Sequence, residues 1–200
     1  MIRIVTCLAA CLALPLAAGS AEIGDSAIGP GYGLITIRGQ FMAGDETRFA
    51  AAAARHAAAT VSLASPGGEL EPALAIGRTI HARGFSTSVP PATLCASGCA
   101  LAWLAGRVRV LSPSSALIVH GSFRYRPDGR REESPTGNAR ARAYLEALAL
   151  PDPLIDFATE ARRDELRPLT PETLRRLGLA PRLLPAAQTG LPFPPRPTGR

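Results

Sequence analysis

The sequence predicts an α/β fold with parallel strands, and two observations carry that prediction. Between residues 33 and 120, short runs of strand character alternate with longer runs of helical spacing, the pattern of successive βαβ units. The strongest turn signals, Ser65-Pro66-Gly67-Gly68 and Gly84, fall at junctions that such units require.

Each element follows from its own residues. Residues 33–38, GLITIR, are rich in β-branched side chains and form a strand closed by Gly39. Residues 44–59 are Ala-rich and read as a helix, with Asp45 as its N-cap. Residues 60–64, TVSLA, make a second strand that runs into SPGG. Over 69–83, Leu70, Ala73, Leu74, Gly77 and Ile80 recur at helical spacing, and Gly84 is the C-cap. Residues 85–89 are a third strand. The loop PPATLCA then leads into a helix over 97–105, followed by short strands at 107–111 and 116–120. Residues 122–138 are polar, with Arg124, Arg126, Arg130 and Arg131 among Asp128, Glu132 and Glu133, and read as a loop. Helices are expected over 138–150, 153–163 and 171–177, the last capped by Thr170 and ended by Gly178.

The two ends of the chain are different in kind. Arg3 precedes a 15-residue apolar run, Ile4 to Ala18, which closes on Gly19-Ser20-Ala21. This is the pattern of a secretory signal peptide over 1–21, cut after Ala21. The run is too short for a comfortable membrane span, and no later segment is long and apolar enough. The alternative takes Leu8-Ala9-Ala10-Cys11 as a lipobox, which would make Cys11 a lipidated N-terminus. Residues 22–180 form one domain, and 181–200 are a Pro-rich disordered tail. The expected location is periplasmic or secreted.

Composition excludes some chemistry. All 22 basic side chains are Arg, so a serine–lysine pair is impossible. Without the leader, 21 Arg stand against 16 acids, a net charge of about +5 that by itself predicts no nucleic-acid partner. Cys7 and Cys11 leave with the leader, so Cys95 and Cys99 remain as an even pair in an oxidising compartment. In one continuous helix their Cα atoms would lie about 6 Å apart, near the limit for a disulfide, and a strand-to-helix turn would bring them closer. Two Cys without a neighbouring His do not make a structural zinc site. No metal or cofactor is expected.

Three features fall at the carboxyl ends of strands, where open α/β sheets gather their chemistry. SPGG follows the second strand, the Cys95–Cys99 segment follows the third, and His120 ends the last. A serine nucleophile needs a base, an orienting acid and donors for the oxyanion. Ser97 would start a helix, where free N–H groups and the macrodipole favour developing negative charge. Gly68 and Gly98 could bring backbone N–H groups close to a carbonyl. His56 and His81 lie late in expected helices, so His120 is nearly the only possible base for Ser97. Taken singly, each feature has an ordinary explanation in packing, capping or turns.

The order SPGG, helix, strand, Ser97 loop, helix, strand and Leu117-Ile118-Val119-His120 resembles the proteolytic subunit of the Clp protease, within the ClpP/crotonase superfamily. The resemblance spans roughly residues 33–180 and is similar to exported Clp-protease-like proteins with a Cys on each side of the serine. It implies a spiral of β-β-α units with a parallel sheet. It implies Ser97 as nucleophile, His120 as base, and Gly68 and Gly98 as the oxyanion hole. The segment Leu169-Thr170-Pro171-Glu172 points to Asp164 as the acid, with Asp156, Asp152 and Glu160 as alternatives. The implied activity is peptide-bond hydrolysis on a peptide or protein substrate, in a possible homo-oligomer. A non-catalytic binding or scaffold protein of the same fold is the second reading, and a crotonase-like acyl-coenzyme A enzyme the third.

Overall fold

The computed structural model describes residues 19–184; most of the expected leader, 1–18, and the end of the expected tail, 185–200, lie outside them. β1 (Glu22–Gly29) and β2 (Tyr32–Arg38) open the domain as an antiparallel pair. After α1 (Asp45–Ala54), the chain adds β3 (Ala58–Ala64) parallel to β2. After α2 (Leu70–Ala82) it adds β4 (Ser86–Val89), parallel to β3. Then come β5 (Leu94–Ala96), α3 (Gly98–Leu104), β6 (Arg109–Leu111) and β7 (Ala116–Val119). The remainder is β8 (Phe123–Tyr125), β9 (Arg131–Glu133), α4 (Pro135–Ala147), α5 (Asp152–Thr159), β10 (Arg167–Pro168), α6 (Pro171–Arg176) and β11 (Arg182–Leu183).

The main sheet runs β1-β2-β3-β4-β6-β11 and is parallel except for β1. The expected α/β fold with a parallel sheet is therefore observed, but its strands divide between two sheets. β7 lies outside the main sheet and pairs in parallel with β5, with β10 antiparallel on its other side. β5 lies inside the segment read as the loop PPATLCA; at three residues it is too short to show a period. An isolated bridge, Ser65 to Cys95, joins the end of β3 to β5 and ties the two sheets together.

Several boundaries move for identifiable reasons. α1 ends at Ala54 rather than Ala59 because Ala58 and Ala59 pair with Tyr32 and Gly33 of β2. Asp45 is the first residue of that helix, not its cap; Gly44 is the cap, at φ 94. The fully buried Asp45 carboxylate instead accepts N–H groups from Met42 (2.9 Å) and Ala21 (3.0 Å) and pairs with Arg48. Arg48 also donates to the Ala21 carbonyl, so Ala21, itself fully buried, belongs to the folded domain. The expected loop at 122–138 contains the β8–β9 hairpin and the first turn of α4, capped by the Ser134 hydroxyl, which accepts from Gly137 N–H. At the other end, Arg182 and Leu183 pair with Val110 and Leu111, so the domain runs past residue 180.

The core lies between the main sheet and α2 and α3. It is filled by Trp103, Phe41, Phe49 and Phe85, all buried, with Ile35, Ile37 and Leu63 from the strands. α3 is buried along its whole length, which suits its composition, GCALAWL. Its Trp103 indole donates to the Val110 carbonyl at 3.1 Å, satisfying the ring's polar atom inside the core. Tyr144 of α4 crosses α2 at Gly77, where any β-carbon would collide with its hydroxyl, and donates to Leu101 of α3 at 3.1 Å. Burial pushes this phenol's pKa well above its ordinary value. α3 is thereby held from the sheet side and the helix side, and its first turn carries the site.

Candidate active site

The β5–β7 register decides where Ser97 goes. Leu94 pairs with Ala116, Cys95 with Leu117 and Ala96 with Ile118. One step further, the Ser97 N–H donates to the Ile118 carbonyl at 2.9 Å, which sets Ser97 beside the end of β7, the strand that His120 follows. Ser97 is the N-cap of α3 at φ 57 and ψ −126, a left-handed conformation that L-residues avoid. The turn is sharp enough to bring the Cys95 and Cys99 Cα atoms to 5.2 Å, and these buried cysteines form a disulfide. That is closer than a continuous helix would bring them, so the bridge depends on the strand-to-helix turn.

SPGG meets this turn from the other side. The Ser65 hydroxyl accepts from Gly67 N–H at 3.0 Å, a local turn that side chains of this kind favour. Phe41 N–H donates to the Gly67 carbonyl at 2.8 Å and Glu69 N–H to the Phe41 carbonyl at 2.9 Å. In such a parallel bridge the central residue, Gly68, turns its own N–H away from Phe41. Gly68 must be glycine, since a β-carbon there would strike the Phe41 backbone and its φ is 148. A β-carbon at Gly67 would lie 2.7 Å from the Ser97 β-carbon and 3.1 Å from Gly98 N, which measures how closely SPGG abuts the serine turn. Gly98 is the first residue of α3, and an N–H there has no partner within the helix. Gly68, Ser97, Gly98 and His120 all line one groove of about 800 Å³.

His120 is half-buried and follows β7. Its Nδ1 lies 2.9 Å from the Gly121 carbonyl oxygen. A carbonyl can only accept, so the neutral ring carries its proton on Nδ1 and its lone pair on Nε2. Asp164, expected to orient this ring, does not reach it. The loop carrying it does approach, because Gly121 N–H donates to the Arg162 carbonyl at 3.1 Å. The Asp164 carboxylate itself is exposed and 3.4 Å from Arg162 Nε. Asp156 and Glu160 are taken by Arg142, at 2.6 and 3.3 Å, and Asp152 opens α5. Among the described residues, the one histidine with a carboxylate within 4.0 Å is His56, bonded to Asp25 at 2.9 Å.

The sequence reading expected the loop at 122–138 to shape a substrate groove or a subunit contact, but did not single out the hairpin or the aromatic residues that form the groove's other wall. Phe123 of β8 stacks on His120 at 5.8 Å, Tyr125 meets Phe123 edge-on at 5.5 Å, and Arg131 of β9 lies over both rings. Asn138 of α4 accepts the Ser122 N–H at 2.6 Å and fixes the start of the hairpin. A short hairpin in a charged stretch leaves no period to read, and only the alternation of Phe123 with Tyr125 hinted at it.

No protein-family model matches the sequence, and no curated protein sequence matches it. Solved structures do match in fold. One is the 1510-N membrane-bound stomatin-specific protease in a serine-to-alanine mutant form. It is 20% identical over 78% of this chain and 80% of its own, with a TM-score of 0.60. Another is a lysine-to-alanine mutant of the same protease in complex with a substrate peptide, 19% identical over 78% of this chain and 75% of its own, with a TM-score of 0.59. The domain thus shares its fold with these proteases, a mixed α/β fold of the ClpP-like kind with a mostly parallel sheet.

Proposed function

We propose that this chain is an exported serine peptidase that works with a Ser97–His120 pair. His120 Nε2 takes the Ser97 hydroxyl proton as Oγ attacks the scissile carbonyl carbon. The resulting oxyanion accepts hydrogen bonds from the Gly68 and Gly98 N–H groups. Collapse breaks the C–N bond, and the leaving amine takes the proton from His120. A water then repeats the cycle on the acyl-enzyme and releases the acid. The Gly121 carbonyl performs the tautomer-setting task expected of Asp164, so no carboxylate is needed to present the Nε2 lone pair. Arg stays protonated and the chain has no Lys; of the groove's two carboxylates, Glu69 and Glu71, Glu71 is paired with Arg140, and a carboxylate is a weaker base than an imidazole.

The observation that carries this reading is the backbone of Ser97. A strained, left-handed serine at a strand-to-helix turn, opening into a groove with two free glycine N–H groups and a histidine, has no packing role that alanine or glycine would not fill better. The substrate peptide bound by a fold neighbour supports a peptide as the occupant. Export rests on the leader pattern. The burial and hydrogen bonds of Ala21 support a cut on the N-terminal side of Ala21 rather than after it.

The test is intact-mass spectrometry of the purified exported protein after treatment with a fluorophosphonate, beside Ser97→Ala and His120→Ala. One adduct on the wild type, absent from both variants, is expected. No adduct on a folded wild type removes the peptidase reading and leaves a binding protein of the same fold. The same spectrum reports the disulfide as a two-proton deficit and the N-terminus by mass, expected at or before Ala21.

A further inference from the structure

The β8–β9 hairpin has two chemically different faces. Its register pairs Phe123 with Glu133, Arg124 with Glu132 and Tyr125 with Arg131. Side chains alternate across a strand, so Arg124 and Glu132 share one face. They pair there at 2.9 Å, and Arg126 joins Glu132 at 3.6 Å. Phe123, Tyr125 and Arg131 occupy the other face together with Glu133, and of these four Phe123, Tyr125 and Arg131 line the groove that holds Ser97 and His120.

Arg131 is pinned on that face. Its guanidinium carbon lies 4.7 Å from the centre of the Phe123 ring and 5.8 Å from that of Tyr125, in cation–π contact. Phe123 in turn stacks on His120, so the cation is one ring away from the proposed base. Its charge has no answer. Arg130 pairs with Asp128 at 2.9 Å, Arg124 and Arg126 share Glu132, and Glu133 faces Arg163 at 4.0 Å. Among the described residues Arg131 alone of the hairpin's four arginines has no carboxylate within 4.0 Å, and it alone of the four lines the groove. The groove's other guanidinium, Arg140, is bonded to Glu71 at 2.9 Å.

We infer that Arg131 is a specificity-determining residue that receives a carboxylate of the bound peptide, which rests on the peptide-binding reading above. A guanidinium in cation–π contact with two rings offers paired N–H donors at a restricted place, the geometry that selects a carboxylate over an amide of the same shape. An acidic side chain near the scissile bond or a free C-terminal carboxylate would supply that group.

Peptide binding to the Ser97→Ala protein, read by fluorescence anisotropy, tests this without requiring turnover. Three matched peptides are compared: one with a central Glu and an amidated end, its Gln twin, and the Gln peptide with a free C-terminus. One carboxylate peptide should bind roughly tenfold tighter than the amidated Gln twin, and which one identifies the source. Arg131→Gln should erase the difference, Arg131→Lys should keep part of it, and Arg131→Glu should reverse it towards a Lys peptide. Equal affinity for all three peptides, or a preference that survives Arg131→Gln, overturns the inference. Fluorophosphonate labelling of Ser97 is scored separately, so loss of the peptidase reading and loss of the carboxylate site are different results.

Discussion

At Ser97 the chain accepts φ 57 and ψ −126, where the β-carbon crowds its own backbone, and such positions cost on the order of 1–3 kcal/mol. Glycine avoids most of that cost because it has no β-carbon. Ser97→Gly should therefore unfold at higher temperature than Ser97→Ala, by about 1 kcal/mol in stability, while neither variant is labelled by a fluorophosphonate. Equal melting temperatures would show that the turn is not strained. Stability given up at one residue for a functional geometry is the signature that separates a nucleophile from a buried spacer.

The element that holds this geometry is the β5–turn–α3 unit. Cys95 is the buried middle residue of β5, Cys99 is the second residue of α3, and their bond closes the chain around Ser97. A loop this short constrains the unfolded chain by only about 2 kcal/mol, little beside the burial of Trp103, Phe41 and Phe85 in the core. Its main effect is local, because it limits how Ser97 can rotate relative to β7. Cys95→Ser/Cys99→Ser, or complete reduction verified by mass, should slow fluorophosphonate labelling several-fold with an unchanged far-ultraviolet circular dichroism spectrum. Unchanged labelling would show that β5 and α3 hold the turn unaided.

On the scale of the whole molecule, β1 is the edge strand of the main sheet and is tied to the body by a charged cluster. Asp25 of β1 pairs with Arg55, just beyond α1, and with His56 at 2.9 Å. The hydrogen bond from Arg55, aided by His56, lowers the Asp25 carboxyl from 3.8 to about 2. A carboxyl with a depressed folded pKa adds stability above its unfolded value and loses it as pH falls through the folded one. The contribution is therefore complete above about pH 5 and disappears between about pH 4 and 2. Asp25→Asn should lower stability at neutral pH and flatten the acid limb of the unfolding curve across that window, measured by denaturant titration at stepped pH. A variant whose acid limb parallels the wild type would remove Asp25 from the account.

Much of this protein was legible in its chain because the deciding patterns are local. Alternating strand and helix periods, SPGG and Gly84 determined the α/β class, and the lack of Lys excluded a serine–lysine pair. Cys95 and Cys99 could be paired on spacing, but their bond needed a turn that spacing does not specify. Three matters were decided only by tertiary structure. A three-residue strand, β5, set the register that carries Ser97 to the end of β7, and such a strand has too few residues to show a period. The partner of His120 Nδ1 is the Gly121 carbonyl, a backbone atom with no signature in residue type, while the Asp164 carboxylate is exposed beside Arg162. The charged stretch at 122–138 became a hairpin because its apolar face has His120 and the groove to pack against, and that surface exists only once β7 and α4 are in place.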